Sequence, residues 1–323
     1  MKFIKNLLKW IVIIFGLFII ALYIFDYDYL ITAVRTIYGK GHKTAYLDDY
    51  KVFDNSTIEK GTGQPWNFHK NYNSVEETKT LTQLNNEKGT IAYLIIKNDS
   101  IWFENYYGGF DKDSKSNSFS MAKSMVSAML GKAIMEGKIK SLDQPVSDFY
   151  PEFSKGTSSK MTVGDLSSMA SGLNWDENYY SPLSITTRAY FDDDLRSLIL
   201  GLKGVDEPGK EYKYLSGNTE LLGMVIEKAT SVRLADYLSD SFWRPLGAEN
   251  EAFWQVDSEE EGMVKAYCCV ASNARDFARF GKLYKQHGKW NGKQILDSAF
   301  IAKSTTPRFV ASPEYGYGWW LAN

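Results

Sequence analysis

The sequence predicts an α+β fold whose sheet draws on both ends of the chain, with a helical middle and a membrane-length helix in front. Three observations predict it. Strand-like alternation occurs near residues 90–107 and again at Tyr315–Leu321. Between them, from Val163 to about Leu246, the spacing is helical and broken by aromatic loops. Ahead of both lies a charge-free apolar run from Trp10 to Phe25.

The 323 residues are enough for one large domain or two smaller ones, and 44% hydrophobic with 24% charged residues excludes a disordered chain. With 37 Lys and Arg against 39 Asp and Glu, no basic excess exists to neutralise phosphates, which argues against nucleic acid as the main partner. Aromatics at 15% suit an exported domain or a carbohydrate- or peptide-facing pocket. The only cysteines, Cys268 and Cys269, are adjacent. They cannot staple distant parts of the chain or supply a four-thiolate zinc site, and they read as a buried small apolar pair.

Lys2, Lys5 and Lys9 precede the apolar run, and Asp26 and Asp28 follow it. With Leu7 and Leu8 added, the run reaches the length of about 17–25 residues that a membrane helix needs. Positive charge before and negative charge after place the N-terminus in the cytoplasm and the remainder in the periplasm or outside the cell. A cleaved signal peptide is the alternative, although Tyr-Ile-Phe-Asp-Tyr-Asp lacks the small residues of a cleavage site. Residues 1–27 are therefore an anchor or signal. Residues 28–84, interrupted by Gly39, Gly41, Gly61, Gly63 and Pro65, read as a connecting arm that wraps the domain.

From Thr90 the alternation of Ile91–Ile96, the turn residues Lys97–Ser100 and the alternation of Ile101–Tyr107 predict a β-hairpin. A helix follows from about Ser120 to Glu136, with Met121, Met125, Ala128, Met129 and Ile134 as its apolar stripe and Gly137 as its stop. Leu221–Lys228 and Leu234–Trp243 read as helices, the second stopped before Pro245. Residues 272–286 read as a helix capped by Ser272 or Asn273.

Ser120-Met121-Ala122-Lys123 carries the chemistry. On a helix, positions i and i+3 share a face, so the hydroxyl and the ammonium come within reach of each other. The helix N-terminus favours a developing oxyanion. Phe119, Met121 and Met125 are expected to desolvate Lys123 and lower its pKa, so that part of it is neutral and can act as a base. A plain Ser N-cap followed by an exposed Lys fits these four residues as well. A second signal is Tyr212-Lys213-Tyr214-Leu215-Ser216, where a Tyr held near a Lys can exchange protons. Trp175, Tyr179 and Tyr180, in an aromatic loop, either line a pocket or pack in the core. His42, His69 and His287 are far in sequence from Ser120, no Gly-x-Ser-x-Gly elbow is present, and no metal-ligand spacing occurs.

Six ordered blocks resemble the serine β-lactamase and penicillin-recognising hydrolase superfamily, in its class C-like branch. They are Phe119–Phe153, Met161–Trp175, Glu207–Gly223, Trp243–Gly247, Ala266–Tyr284 and Tyr315–Trp320, spread over residues 85–323. The resemblance implies a β-lactamase/transpeptidase-like fold with a mainly antiparallel sheet and a helical subdomain. It also implies an ester- or amide-cleaving hydrolase that works without metal or organic cofactor on a small or peptide-like substrate. Ser120 matches the acylated nucleophile, Lys123 its activator, and Tyr214 the tyrosine of a Tyr-x-Asn element. Ser216 stands where that element has Asn, which is more like esterases and 6-aminohexanoate-dimer hydrolases than true β-lactamases. A β-lactamase or D-Ala-D-Ala carboxypeptidase, and a binding relative without turnover, are the alternatives. The family's third motif, on a strand expected after Tyr315–Trp320, does not precede Asn323, so a domain incomplete at its C-terminus and short of sheet strands is expected.

Overall fold

The structure, a computed structural model, describes residues 2–260 and 262–322. Helix α1 (Lys2–Ile24) has no buried residue and is long and apolar enough to cross a membrane, by length and composition. Four residues later α2 (Tyr29–Thr36) begins, and it packs against α6 (Ile185–Phe191) with Tyr29, Ala33 and Thr36 buried. The other helices are α3 (Lys79–Lys88), α4 (Met121–Met135), α5 (Val163–Ser167), α7 (Leu195–Leu200), α8 (Ser216–Thr230), α9 (Leu234–Leu238), α10 (Ala274–Lys285) and α11 (Ser298–Ser304).

Most of the strands fall into two sheets. Strands β1 (Asn55–Ile58), β6 (Ala252–Gln255), β7 (Val270–Ser272) and β5 (Ser116–Asn117) form one in that spatial order, antiparallel throughout. The second is β2 (Asn67–Phe68), β4 (Ser100–Tyr106) and β3 (Ala92–Lys97), with β2 parallel to β4. A small hairpin, β8 (Lys289–Trp290) and β9 (Lys293–Gln294), stands apart. The predicted hairpin is β3–β4. It turns through Asn98 (φ 51°) and Asp99 (φ 60°), the two left-handed positions that suit the right-handed twist of the strands.

Three expectations change. Residues 28–84 are more than a connector, because β1 and β2 add strands to both sheets and α3 runs across residue 84. Ala122, Val126, Leu130 and Ala133 are buried alongside Met125, Ala128 and Met129, so α4 is a central helix covered almost all round rather than on one stripe. The tail from Tyr315 forms no strand: it makes a single antiparallel bridge, Tyr315 with Trp320, around Gly318 at φ 76°. Its carbonyls instead accept from α4, Gly318 O from Ser124 Oγ at 2.6 Å and Tyr317 O from Ser127 Oγ at 2.7 Å.

Candidate active site

Ser120 is the last residue before α4, and its hydroxyl does not cap the helix. It accepts a hydrogen bond from Lys123 Nζ at 3.2 Å. Lys123 Nζ also donates to Ser216 Oγ at 3.2 Å and to the Tyr267 carbonyl at 2.8 Å. The plain N-cap reading therefore does not describe this serine. Lys123 is 3% exposed, and burial lowers its pKa to about 8, against the raising effects of Glu177 and then Glu220. Of the three residues expected to desolvate it, Met125 is buried. Met121 and Phe119 are 44% and 37% exposed, while the rings of Tyr214 and Tyr267 lie 5.1 and 5.6 Å from the ammonium.

Tyr214 faces the same group from the loop before α8. Burial pushes its hydroxyl above the ordinary tyrosine value, and a hydrogen bond with Ser120 pulls it down. Its ring packs on Trp320 and Tyr315, 5.4 and 5.9 Å between centroids, so the aromatic tail packs behind the tyrosine that faces Ser120. The Ser120 backbone N–H has no acceptor among the described residues, which leaves a donor free at the start of α4.

Ser216 opens α8, and its hydroxyl donates to Glu177 Oε1 at 2.6 Å while its backbone N–H donates to Glu177 Oε2 at 2.7 Å. The Glu177 carboxylate thus caps the positive end of α8 and reaches Lys123 through one hydroxyl. The Tyr179 hydroxyl also donates to Glu177. Sequence reasoning missed Glu177, although it lies inside the aromatic loop that it singled out.

The turn before Ser120 is held from a distance. Phe119 has φ 45°, in the left-handed region, and its N–H donates to Asn117 Oδ1 at 2.8 Å. Asn117 Nδ2 donates to the fully buried Asp49, which also accepts from Gln255 Nε2 at 2.8 Å and from the Tyr190 hydroxyl. Asp49 belongs to the arm, so the segment expected to connect also buttresses the turn before Ser120.

A cavity of about 310 Å³ opens over Ser120, Lys123 and Ser216. Tyr179 lines it. Trp175 and Tyr180 do not. Trp175 is 3% exposed, donates to Thr186 Oγ1 at 3.0 Å and lies under the first turn of α8, while Tyr180 is 85% exposed on the outer side of its loop. A Cβ added at Gly217 would sit 2.9 Å from Trp175 Cδ2 and 3.0 Å from Cζ3. Gly217→Ala is expected to lower stability by about 1–3 kcal/mol, readable as a fall in melting temperature by circular dichroism. Cys268, on the cavity wall, and Cys269 are buried as expected, but the two are joined in a disulfide rather than standing as free thiols. Arg275, on α10, pairs with Glu104.

Residues 79–323 match the family described as Beta-lactamase. The chain belongs to that family. The domain is thus a β-lactamase/transpeptidase-like fold of the serine hydrolase superfamily. It is 27% identical over 232 residues to a 6-aminohexanoate-dimer hydrolase from Paenarthrobacter ureafaciens, a match covering 68% of this chain and 58% of that protein. It is 28% identical over 198 residues to the protein flp of Staphylococcus aureus, covering 57% of this chain and 39% of flp. The matches thus span little more than half of the first family relative and under half of the second. Among solved structures, a candidate 6-aminohexanoate-dimer hydrolase from Bacillus anthracis superposes with a TM-score of 0.68 at 21% identity, over 83% of this chain and 76% of that one. At that identity the likeness is one of fold.

Proposed function

We propose that this chain is a membrane-anchored hydrolase that cleaves an ester or amide bond through an acyl-enzyme on Ser120. The observation that carries the reading is the buried Lys123 amine 3.2 Å from Ser120 Oγ, with its pKa lowered to about 8. Neutral Lys123 takes the Ser120 proton as Oγ attacks the carbonyl carbon. The Ser120 N–H receives the oxyanion. Tyr214, which touches Ser120 and stays protonated well above neutral pH, gives its proton to the leaving group and is recharged by Lys123. Water then attacks the acyl-enzyme by the same route and releases the acid.

Ser216 in place of an amide, and a likeness to 6-aminohexanoate-dimer hydrolases, favour a linear ester or amide over a β-lactam. The charges flanking α1 favour a periplasmic or outer position for the domain that follows it.

The test is covalent labelling of the full chain with a fluorophosphonate, read by intact mass. One adduct is expected on the wild type and none on Ser120→Ala. A folded wild-type protein that takes no adduct overturns the reading. Nitrocefin should be turned over poorly or not at all, while a short p-nitrophenyl ester is hydrolysed.

A further inference from the structure

We propose that the candidate active site faces the bilayer surface and takes a membrane-borne amphiphile, its acyl chain in the cavity and its ester or amide bond at Ser120. The inference rests on the hydrolase reading for its chemistry and on a separate set of contacts for its location.

The elements that wall the cavity are also the ones fixed to α1. Tyr38 and Lys43–Ala45 form one wall, and they follow directly on α2. At 1.5 Å per residue α2 is about 12 Å long, so with the turn before it Tyr38 lies within about 25 Å of the end of α1. The loop carrying Tyr179 also lines the cavity. That loop is tied to α2 by the Tyr29 hydroxyl, which donates to Pro182 O at 3.0 Å. Arg188 on α6 pairs with Asp26, in the turn between α1 and α2, and its guanidinium stands 5.8 Å from the Tyr29 ring. Thr186, Thr187 and Phe191 of the same α6 line the cavity. The exit of the apolar helix and the cavity are thus parts of one braced unit.

Besides that ion pair, the brace exposes large apolar side chains. Tyr180 is 85% exposed, Leu183 64%, Val34 56% and Tyr27 41%. Tyr27 and Val34 lie on either side of Tyr29 in the chain, and Tyr180 and Leu183 on either side of Pro182, the two residues that the hydrogen bond joins. Exposed aliphatic side chains with tyrosines at the end of an apolar helix fit the interfacial zone of a bilayer, where an aromatic ring has an apolar side and a wet hydroxyl. The cavity beyond them offers Tyr38, Ala45, Phe119 and Phe191 to a hydrocarbon chain, and the exposed Lys43 at the mouth has no carboxylate partner among the described residues, which suits a phosphate or carboxylate headgroup.

The test uses the full chain in phosphatidylcholine vesicles with two probes, 4-methylumbelliferyl butyrate in the aqueous phase and 4-methylumbelliferyl oleate in the bilayer. Tyr180→Ser with Leu183→Ser, both outside the cavity, should lower oleate turnover about tenfold through weaker seating on the interface and leave butyrate turnover and fluorophosphonate labelling unchanged. Equal oleate rates in the variant and the wild type overturn the proposal. Tyr180→Cys carrying a bimane label gives a readout that needs no turnover. Quenching by lipids spin-labelled near the headgroup is expected, and its absence overturns the docking even if the enzyme is active. A missing fluorophosphonate adduct with intact quenching would sink the hydrolase reading alone.

Discussion

Lys123→Met should abolish most of the turnover while leaving the fold at least as stable as the wild type. Removing a general base costs about 10²–10⁴ in rate. Two of the three partners of the lost amine, Ser120 Oγ and Ser216 Oγ, keep their own side chains, so the loss of rate reports the missing base. Stability should move the other way. Lys123 is fully buried, and its pKa is depressed from the ordinary 10.5 to about 8. Between those two values the unfolded chain holds the proton and the folded one does not, so stability rises with pH there. Below about 8 the full burden of a buried ammonium is present, and Met removes it at neutral pH. The loss of a partner for the Tyr267 carbonyl offsets part of the gain. The melting temperature of the variant should therefore equal or exceed that of the wild type at pH 7, and the gap should close as pH climbs from about 8 toward 10.5. A variant that keeps a tenth of the wild-type kcat/KM sinks the assignment of Lys123 as the base.

What could be read from the sequence was local or carried by ordered blocks. The Ser120–Lys123 pair needs only one helical turn, and α4 follows from its spacing and from Gly137, which stands at φ 69° just past the helix. The β3–β4 hairpin follows from its turn residues. The rest depends on where irregular chain runs, and no periodicity encodes that. Glu177 meets Ser216 across 39 positions and Asp49 meets Gln255 across 206, each through a single side chain. Trp175 had two fates open to it, and Gly217 decided between them by leaving room for the indole under α8. Tyr-Gly-Tyr-Gly-Trp-Trp has strand-like aromatics, but the bonds from Ser124 and Ser127 claim its carbonyls and make it a lid on α4. The arm carries two strands too short, at four and two residues, to stand out from the glycines around them.

Glu177→Gln should shift the pH profile and not only its height. The carboxylate raises the Lys123 pKa, second only to burial among the causes acting on that amine and opposite in sign. Gln keeps the length, and its amide oxygen can still accept from the Ser216 N–H while its NH₂ donates to the Ser216 hydroxyl oxygen, so α8 keeps its cap in weakened form. Without the negative charge the protonated amine is less favoured, and its pKa falls below about 8. The acidic limb of kcat/KM, which the wild type is expected to show as a tenfold fall per pH unit below about 8, should therefore move to lower pH. The plateau should also fall, because a charge-assisted bond that orients Ser216, and Lys123 through it, is exchanged for a neutral one; a loss of about 1.4 kcal/mol corresponds to about tenfold. A merely structural carboxylate would lower the plateau and the melting temperature and leave the limb where it was. That outcome would remove Glu177 from the proton path and leave it as the cap of α8. Glu177→Asp, which restores the charge at a shorter reach, should return the limb toward the wild-type position even where the plateau stays low.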